Sequence, residues 1–148
     1  MTIFEALRQS HDIQRELCAA LLDTRGDSPQ RQELFARLTL ELAAHAMAEE
    51  RHFYIPLMQD DLTQTLSRHA IAEHHEMDER VEALRQTEPS SPGWLSQART
   101  LCEKVQHHLD EEEHCFFQMA GKVLAPSQKQ RLSGAYLREY QAFRLGQE

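Results

Sequence analysis

Displaced by 63 residues, the chain falls onto itself. His11 meets His74, Leu21 meets Leu84 and Thr24 meets Thr87. Ser28-Pro29 meets Ser91-Pro92, Leu38 meets Leu101, His45 meets His108, Glu49-Glu50 meets Glu112-Glu113, and Phe53 meets Phe116. Helical periodicity alone could align the leucines, but hardly the histidines, the Ser-Pro steps and the paired glutamates together. A diverged duplication of one helical hairpin is the simplest account, and a hairpin that cannot bury its apolar face alone must pair with its copy. Nearly every segment has a helical period and none alternates like a strand. Ser-Pro is a strong helix start, since Ser caps free N–H groups and Pro suits the first turn. The spacing predicts helices over residues 2–24, 28–54, 63–87 and 91–122, with Pro56 ending or bending the second. A fifth, shorter amphipathic helix opens at Ala125-Pro126 or Ser127 and carries Leu132, Tyr136, Leu137, Tyr140 and Phe143. The expected fold is all-α: an up-down-up-down four-helix bundle over residues 1–122, with a helical extension over 123–148 packed on it.

Each copy supplies one histidine on its first helix and His-x-x-x-Glu on its second. In the second helix Leu38, Leu42, His45 and Glu49 form one stripe; in the fourth the stripe is Leu101, Val105, His108, Glu112, Cys115 and Met119. Residues three and four apart share a helix face, so these His and Glu side chains point where the leucines say the core is. His11 shares a face with Leu7 and Cys18, and His74 with Val81 and Leu84. An unpaired carboxylate in an apolar core costs several kcal/mol, a large part of the roughly 5–15 kcal/mol that stabilises a domain. No core arginine is evident to neutralise Glu49 and Glu112, whereas four inward histidines are. A pair of divalent metal ions, bridged by the two carboxylates and held by imidazoles, satisfies every group, and bundle cores hold such sites. This donor set suits iron, manganese or zinc rather than calcium or magnesium. The bland alternative is a hydrogen-bonded polar layer without metal.

The order of these motifs resembles the hemerythrin-like HHE cation-binding domains. They read RQSHDIQ, AAHAMAEERHFY, AEHHEMDE and QHHLDEEEHCFF, one per helix, and the resemblance covers residues 1–122. It implies that His11, His45, His74 and His108 are terminal ligands. Glu49 and Glu112 would bridge two iron ions in a non-haem, carboxylate- and oxo- or hydroxo-bridged centre, with manganese or zinc as substitutes. Two departures stand out. Oxygen-carrying members have a second histidine one turn along the third helix, where this chain has Asp78, so His75 or Asp78 is left to complete the set. They also use HxxxxD on the last helix, where this chain has HxxxE. The implied function is binding of, or reaction with, dioxygen, nitric oxide or peroxide in sensing, redox or stress response. The alternatives are an iron-sensing or storage module, or a ferritin-like carboxylate centre built on Glu49-x-x-His52 and Glu111-x-x-His114. The last needs the fourth helix turned by about 100°.

A net charge of −8 argues against a nucleic-acid partner, which would require a basic footprint. Cys18, Cys102 and Cys115 form no CxxC and are expected as buried small hydrophobes in a reducing compartment. MTIFEALRQSHD has no signal-peptide pattern, and no run approaches the ~20 apolar residues of a membrane span. The expectation is therefore a cytoplasmic protein with a small diatomic or peroxide ligand and no membrane partner. Self-association or a protein partner would use the C-terminal helix.

Overall fold

The computed structural model describes residues 1–147, and every regular element among them is helical. Helix α1 (Ile3–Leu22) opens with a capping box in which Thr2 and Glu5 satisfy each other's backbone N–H groups. Helices α2 (Pro29–Glu49) and α4 (Pro92–Glu111) both start at the repeated Ser-Pro step. The Ser28 hydroxyl accepts from the Arg31 N–H at 3.1 Å, and that of Ser91 accepts from the Gly93 N–H at 3.2 Å. Helices α3 (Gln64–Arg85) and α5 (Pro126–Gln147) complete the set. The turn from α1 to α2 passes through Gly26 at φ +58°, a left-handed conformation that costs glycine little.

Helix α2 does not stop at Glu49. It enters a π-helical stretch, Glu50–Tyr54, and then a short α-helical piece, Ile55–Leu57, with the Ile55 N–H donating to the Glu50 carbonyl. Helix α4 does the same over Glu112–Phe116, continuing as Phe117–Val123, with the Phe117 N–H donating to the Glu112 carbonyl. An i→i+5 bond admits one extra residue to the turn, so side chains beyond Glu49 and Glu112 are rotated from their α-helical positions. Pro56 therefore follows a change of register, and the helix runs one residue past it, with the proline in the opening turn of the last piece, where a missing N–H is tolerated.

Within each hairpin α1 packs on α2 and α3 on α4; α1 also lies along α4, and α5 lies along α1 and α2. The core has two apolar clusters. One, at the hairpin-loop end, gathers Leu21, Leu38, Leu84, Trp94 and Leu101. The other is aromatic, with Phe53, Tyr54, Phe116 and Phe117, and takes Leu132, Tyr136 and Tyr140 from α5. The core does contain an arginine, contrary to expectation. Arg31 is buried over the Trp94 ring at the loop end and donates to Thr24 and to the Pro89 carbonyl. It is spent there and leaves Glu49 and Glu112 unneutralised. Cys18 and Cys102 are buried as expected, but Cys115, in the π stretch of α4, is exposed. Among the described residues no helix is long and apolar enough to cross a membrane.

Candidate metal centre

His11, His45, His74, His108, Glu49 and Glu112 all converge in the bundle interior, each at most 4% exposed. Their inward atoms fall into two groups that share a carboxylate. Donor atoms of His11, His45, Glu49 and Glu112 lie within 4.8 Å of one another, as do those of Glu49, His74 and His108. Glu49 Oε1 is 3.1 Å from His45 Nε2 and 3.3 Å from His74 Nε2. Glu112 presents Oε1 to His11 Nε2 at 3.2 Å and Oε2 to His108 Nε2 at 3.6 Å. Each carboxylate thus faces one histidine from each half.

The outward nitrogen of every imidazole is held. His11 Nδ1–H donates to Glu113 at 2.7 Å, His74 Nδ1–H to Glu50 at 3.1 Å and His108 Nδ1–H to Glu73 at 2.7 Å. A carboxylate only accepts, so these bonds place the proton on Nδ1 and turn the Nε2 lone pair inward, the tautomer a metal requires. His45 Nδ1 lies 2.7 Å from the Tyr136 hydroxyl, which is itself 2.7 Å from the Ser10 hydroxyl. The same tautomer follows there if Tyr136 accepts from His45 and donates to Ser10.

Charge in the site is unbalanced without a cation. Burial acts to lower His11, but Glu112 and Glu113 outweigh it and raise it to about 9. Burial is likewise overcome at His74, which Glu49 and Glu50 raise to about 10. Burial dominates at His45, lowering it to about 4 against the pull of Glu49. Burial and the Glu49 charge push Glu112 up to about 7, while Glu49, despite its burial, is held well below the usual range by His45. Protons on His11 and His74 thus do part of what a divalent ion would do better. Among the described residues seven buried side-chain atoms have no hydrogen-bond partner, and four of them are in this site: His11 Nε2, His45 Nε2, Glu49 Oε2 and Glu112 Oε1. Each can offer a lone pair to a cation once any proton it carries is displaced, all four residues belong to one group of converging donors, and buried polar atoms are rarely left so. The donor set fits a borderline divalent cation.

Several participants are not legible as inward-facing in an α-helical projection. Tyr54 is the most central. Its hydroxyl donates to Glu49 Oε1 at 2.7 Å, is hydrogen-bonded to Glu112 Oε2, and lies 3.4 Å from both His74 Nε2 and His108 Nε2. Burial and the two carboxylates push this phenol well above its ordinary pKa. Tyr136 arrives from α5, and Ser10, Glu50, Glu73 and Glu113 complete the outer contacts. The repeated Glu-Glu pairs could have pointed to Glu50 and Glu113, whereas Tyr136 depends on a contact spanning the chain. Glu113 is also gripped by Arg15 at 3.1 Å; burial opposes the effect, but His11 and Arg15 draw it down to about 2.

His75 and Asp78 are exposed and belong to neither group of converging donors. Asp78 lines a small cavity with Gln14, His45, His74 and His108. That cavity, and one beside Ala70, Glu73, His108 and Phe116, each have a volume of about 10 Å³, room for one water-sized molecule. His52 lies beside Glu139 of α5 at 3.5 Å. His69, His107 and His114 are exposed, and Glu111 points outward to His69 and His107. The ferritin-like Glu111/His114 alternative therefore fails, because α4 turns both side chains away from the interior.

The family model for the hemerythrin HHE cation-binding domain matches residues 2–120. A hemerythrin HHE cation-binding domain-containing protein from Mycobacterium kansasii has the same fold, with a TM-score of 0.89 at 22% identity over 99% of this chain and 89% of that one. A protein of Nostoc sp. named as a DNA nickase is 27% identical over 132 residues, 88% of this chain but only 37% of that protein.

Proposed function

Because the chain belongs to the hemerythrin HHE cation-binding family, we propose that it holds two iron ions and binds or reacts with a small oxidant: dioxygen, nitric oxide or peroxide. His11 and His45 would hold one ion, His74 and His108 the other, with Glu49 and Glu112 shared. Manganese or zinc would fit the same donors. The observation that carries this reading is the set of partnerless, buried imidazole and carboxylate lone pairs beside cavities that admit only a water-sized molecule. Bound iron would supply redox electrons and an exchangeable position for the small ligand.

The chain's own residues do the rest. Glu50, Glu73, Glu113 and Tyr136 fix the imidazole tautomers and ring orientations. Phe53, Phe116 and Phe117 wall the aromatic end and keep bulk water out. The larger concavities, such as one of about 470 Å³ lined by Phe35, Thr39 and Phe143, do not include the converging donors. The net charge of −8 and the partial coverage of the Nostoc protein give no reason to carry nicking over to this chain.

A second reading, an iron sensor or store, draws on an outward cluster. Glu73 holds His108 and also lies 3.5 Å from His69, which lies 3.4 Å from Glu111, a surface step leading inward. The deciding measurement is iron per chain on protein prepared without air, with absorption recorded before and after each gas. Two irons per chain and a spectrum that responds to dioxygen, nitric oxide or peroxide support the proposal. Two irons with no response to any of them leave the sensor or store, and no iron after reconstitution overturns both.

A further inference from the structure

We propose that the Gln14 carboxamide is the hydrogen-bond donor that receives the exogenous small molecule, and that it favours a peroxide-like ligand whose outer atom carries negative charge. This inference rests on the small-oxidant reading above and names the residue that recognises the ligand. Gln14 is 1% exposed, and its Nε2 has no hydrogen-bond partner in the protein. A buried amide left unbonded is a standing cost to the fold, so a glutamine kept in that state points to a partner from outside. The same side chain lines the cavity of about 10 Å³ that also touches His45, His74 and His108. The free N–H and three of the candidate metal ligands thus border one water-sized space. None of these imidazoles serves the amide. Their outward nitrogens are held by Tyr136, Glu50 and Glu73, and their inward ones turn to Glu49 and Glu112.

The sequence delivers Gln14 to this point. It follows His11 by three residues, so the two share a face of α1. It stands where that face passes from the polar centre to the apolar Leu17, Cys18 and Leu21. The repeat supplies an internal control. The counterpart of Gln14 is Met77, which is buried and lines the same cavity from α3. Methionine is unbranched and of similar length but has no N–H, so packing at this position does not require an amide. What the amide adds is a pair of donors. Leu42, Ala46 and Met77 make much of the wall apolar, and Asp78 is exposed to solvent, where its charge is screened. An uncharged end such as that of nitric oxide gains little from Gln14. The anionic end of a deprotonated peroxide gains a charge-assisted hydrogen bond. Gln14 gives up no proton and no electron; it holds and orients the outer atom of the ligand.

The test uses the full chain loaded with iron, with azide on the oxidised form and nitric oxide on the reduced form as probes. Absorption titrations give the affinities, and infrared spectra in ordinary and heavy water give the azide stretch. In the wild type the stretch should move on deuteration, because an exchangeable N–H touches the probe. Gln14→Met, which copies Met77, should abolish that movement and weaken azide about ten- to a hundredfold. It should leave nitric oxide nearly unchanged and keep the iron content. Its metal-free melting temperature should not fall, because the amide it removes bonds nothing in the protein. Should Gln14→Met fail to fold, Gln14→Asn, one carbon shorter, carries the comparison. Azide bound as tightly by Gln14→Met as by the wild type, an equal loss for nitric oxide, or a wild-type stretch indifferent to heavy water overturns the proposal while sparing the small-oxidant reading. A lower metal-free melting temperature in Gln14→Met shows that the amide serves the fold and overturns it too. An iron-loaded wild type that responds to neither probe overturns both.

Discussion

Around His74 and His108 the outer partners are two carboxylates, Glu50 and Glu73, whereas around His11 and His45 they are Glu113 and a tyrosine from the last helix. The repeat explains how this arose. Glu73 corresponds to Ser10, and serine is too short to reach the imidazole. Tyr136 spans the gap, bonded to Ser10 on one side and His45 on the other. The inner residues differ as well, Tyr54 against Phe117. One half therefore has charged outer support and a phenol within, while the other has neutral support at His45 and an apolar wall. An anionic partner makes an imidazole a more basic ligand, so the two halves should differ in affinity as well as in access.

Removing what the halves share should have the largest effect. Glu49→Ala or Glu112→Ala should take metal content from two ions per chain toward none. It should also abolish stabilisation by added metal, worth about 2.7 kcal/mol per site at a hundredfold excess over Kd. Elemental analysis and thermal melts with and without ferrous iron check this; a variant keeping two ions would show that the carboxylates are not shared.

Next in size is the pH behaviour of the metal-free protein. His11 and His74, raised to about 9 and about 10, favour the fold when protonated. That stability is complete below about 6.5 and drains away as pH rises through 9 and 10, amounting to a few kcal/mol at most. Glu112, raised to about 7, has the same sign at lower pH, and His45, lowered to about 4, opposes it as pH falls from 6.5 to 4. The loaded protein should respond in the opposite sense between pH 7 and 9, because ligands must lose protons to bind. Melting temperatures of the two forms against pH should therefore diverge, and parallel curves would mean that protons and cations do not compete.

Breaking the outer contacts one half at a time tests their inequality. Glu73→Gln should weaken the His74–His108 half and Tyr136→Phe the His11–His45 half, each by about ten- to a hundredfold in metal affinity. Sequential titration with ferrous iron would show which step moves in which variant; the same step moving in both would deny that the halves are distinct. The smallest expected change is in Phe117→Tyr, which carries a phenol into the His11–His45 half at the position Tyr54 holds in the other. The fold should be almost unaffected, and the signature is a loss of small-ligand response with iron content retained.

Period and duplication made the helices and the six central donors readable from the chain. His45 and Glu49 share a stripe with Leu38, and His108 and Glu112 with Leu101, so burial followed from pattern. Two local devices hid the rest. The π stretches change the register after Glu49 and Glu112, so a projection at the α-helical period turns Tyr54 away from the site it occupies and Cys115 toward a core it avoids. Tyr136 was visible as an apolar-face residue of an amphipathic helix, but its bond to His45 joins residues 91 apart, which no local pattern encodes. Arg31 is likewise not evident as a core residue in the sequence, because its partners, Thr24, Pro89 and Trp94, come together only when the hairpin loops meet.

His11 of the first hairpin is held by Glu113 of the second, and His74 of the second by Glu50 of the first. This is the contact pattern of an isologous pair, in which i touches j and j touches i. Two separate copies of one hairpin could form it, but identical subunits would have to carry a tyrosine at both inner positions or at neither, and an acid at both outer positions or at neither. Covalent fusion is what frees the halves to diverge, so a chain with this interlock can be lopsided in a way that no symmetric dimer of the same hairpin could be.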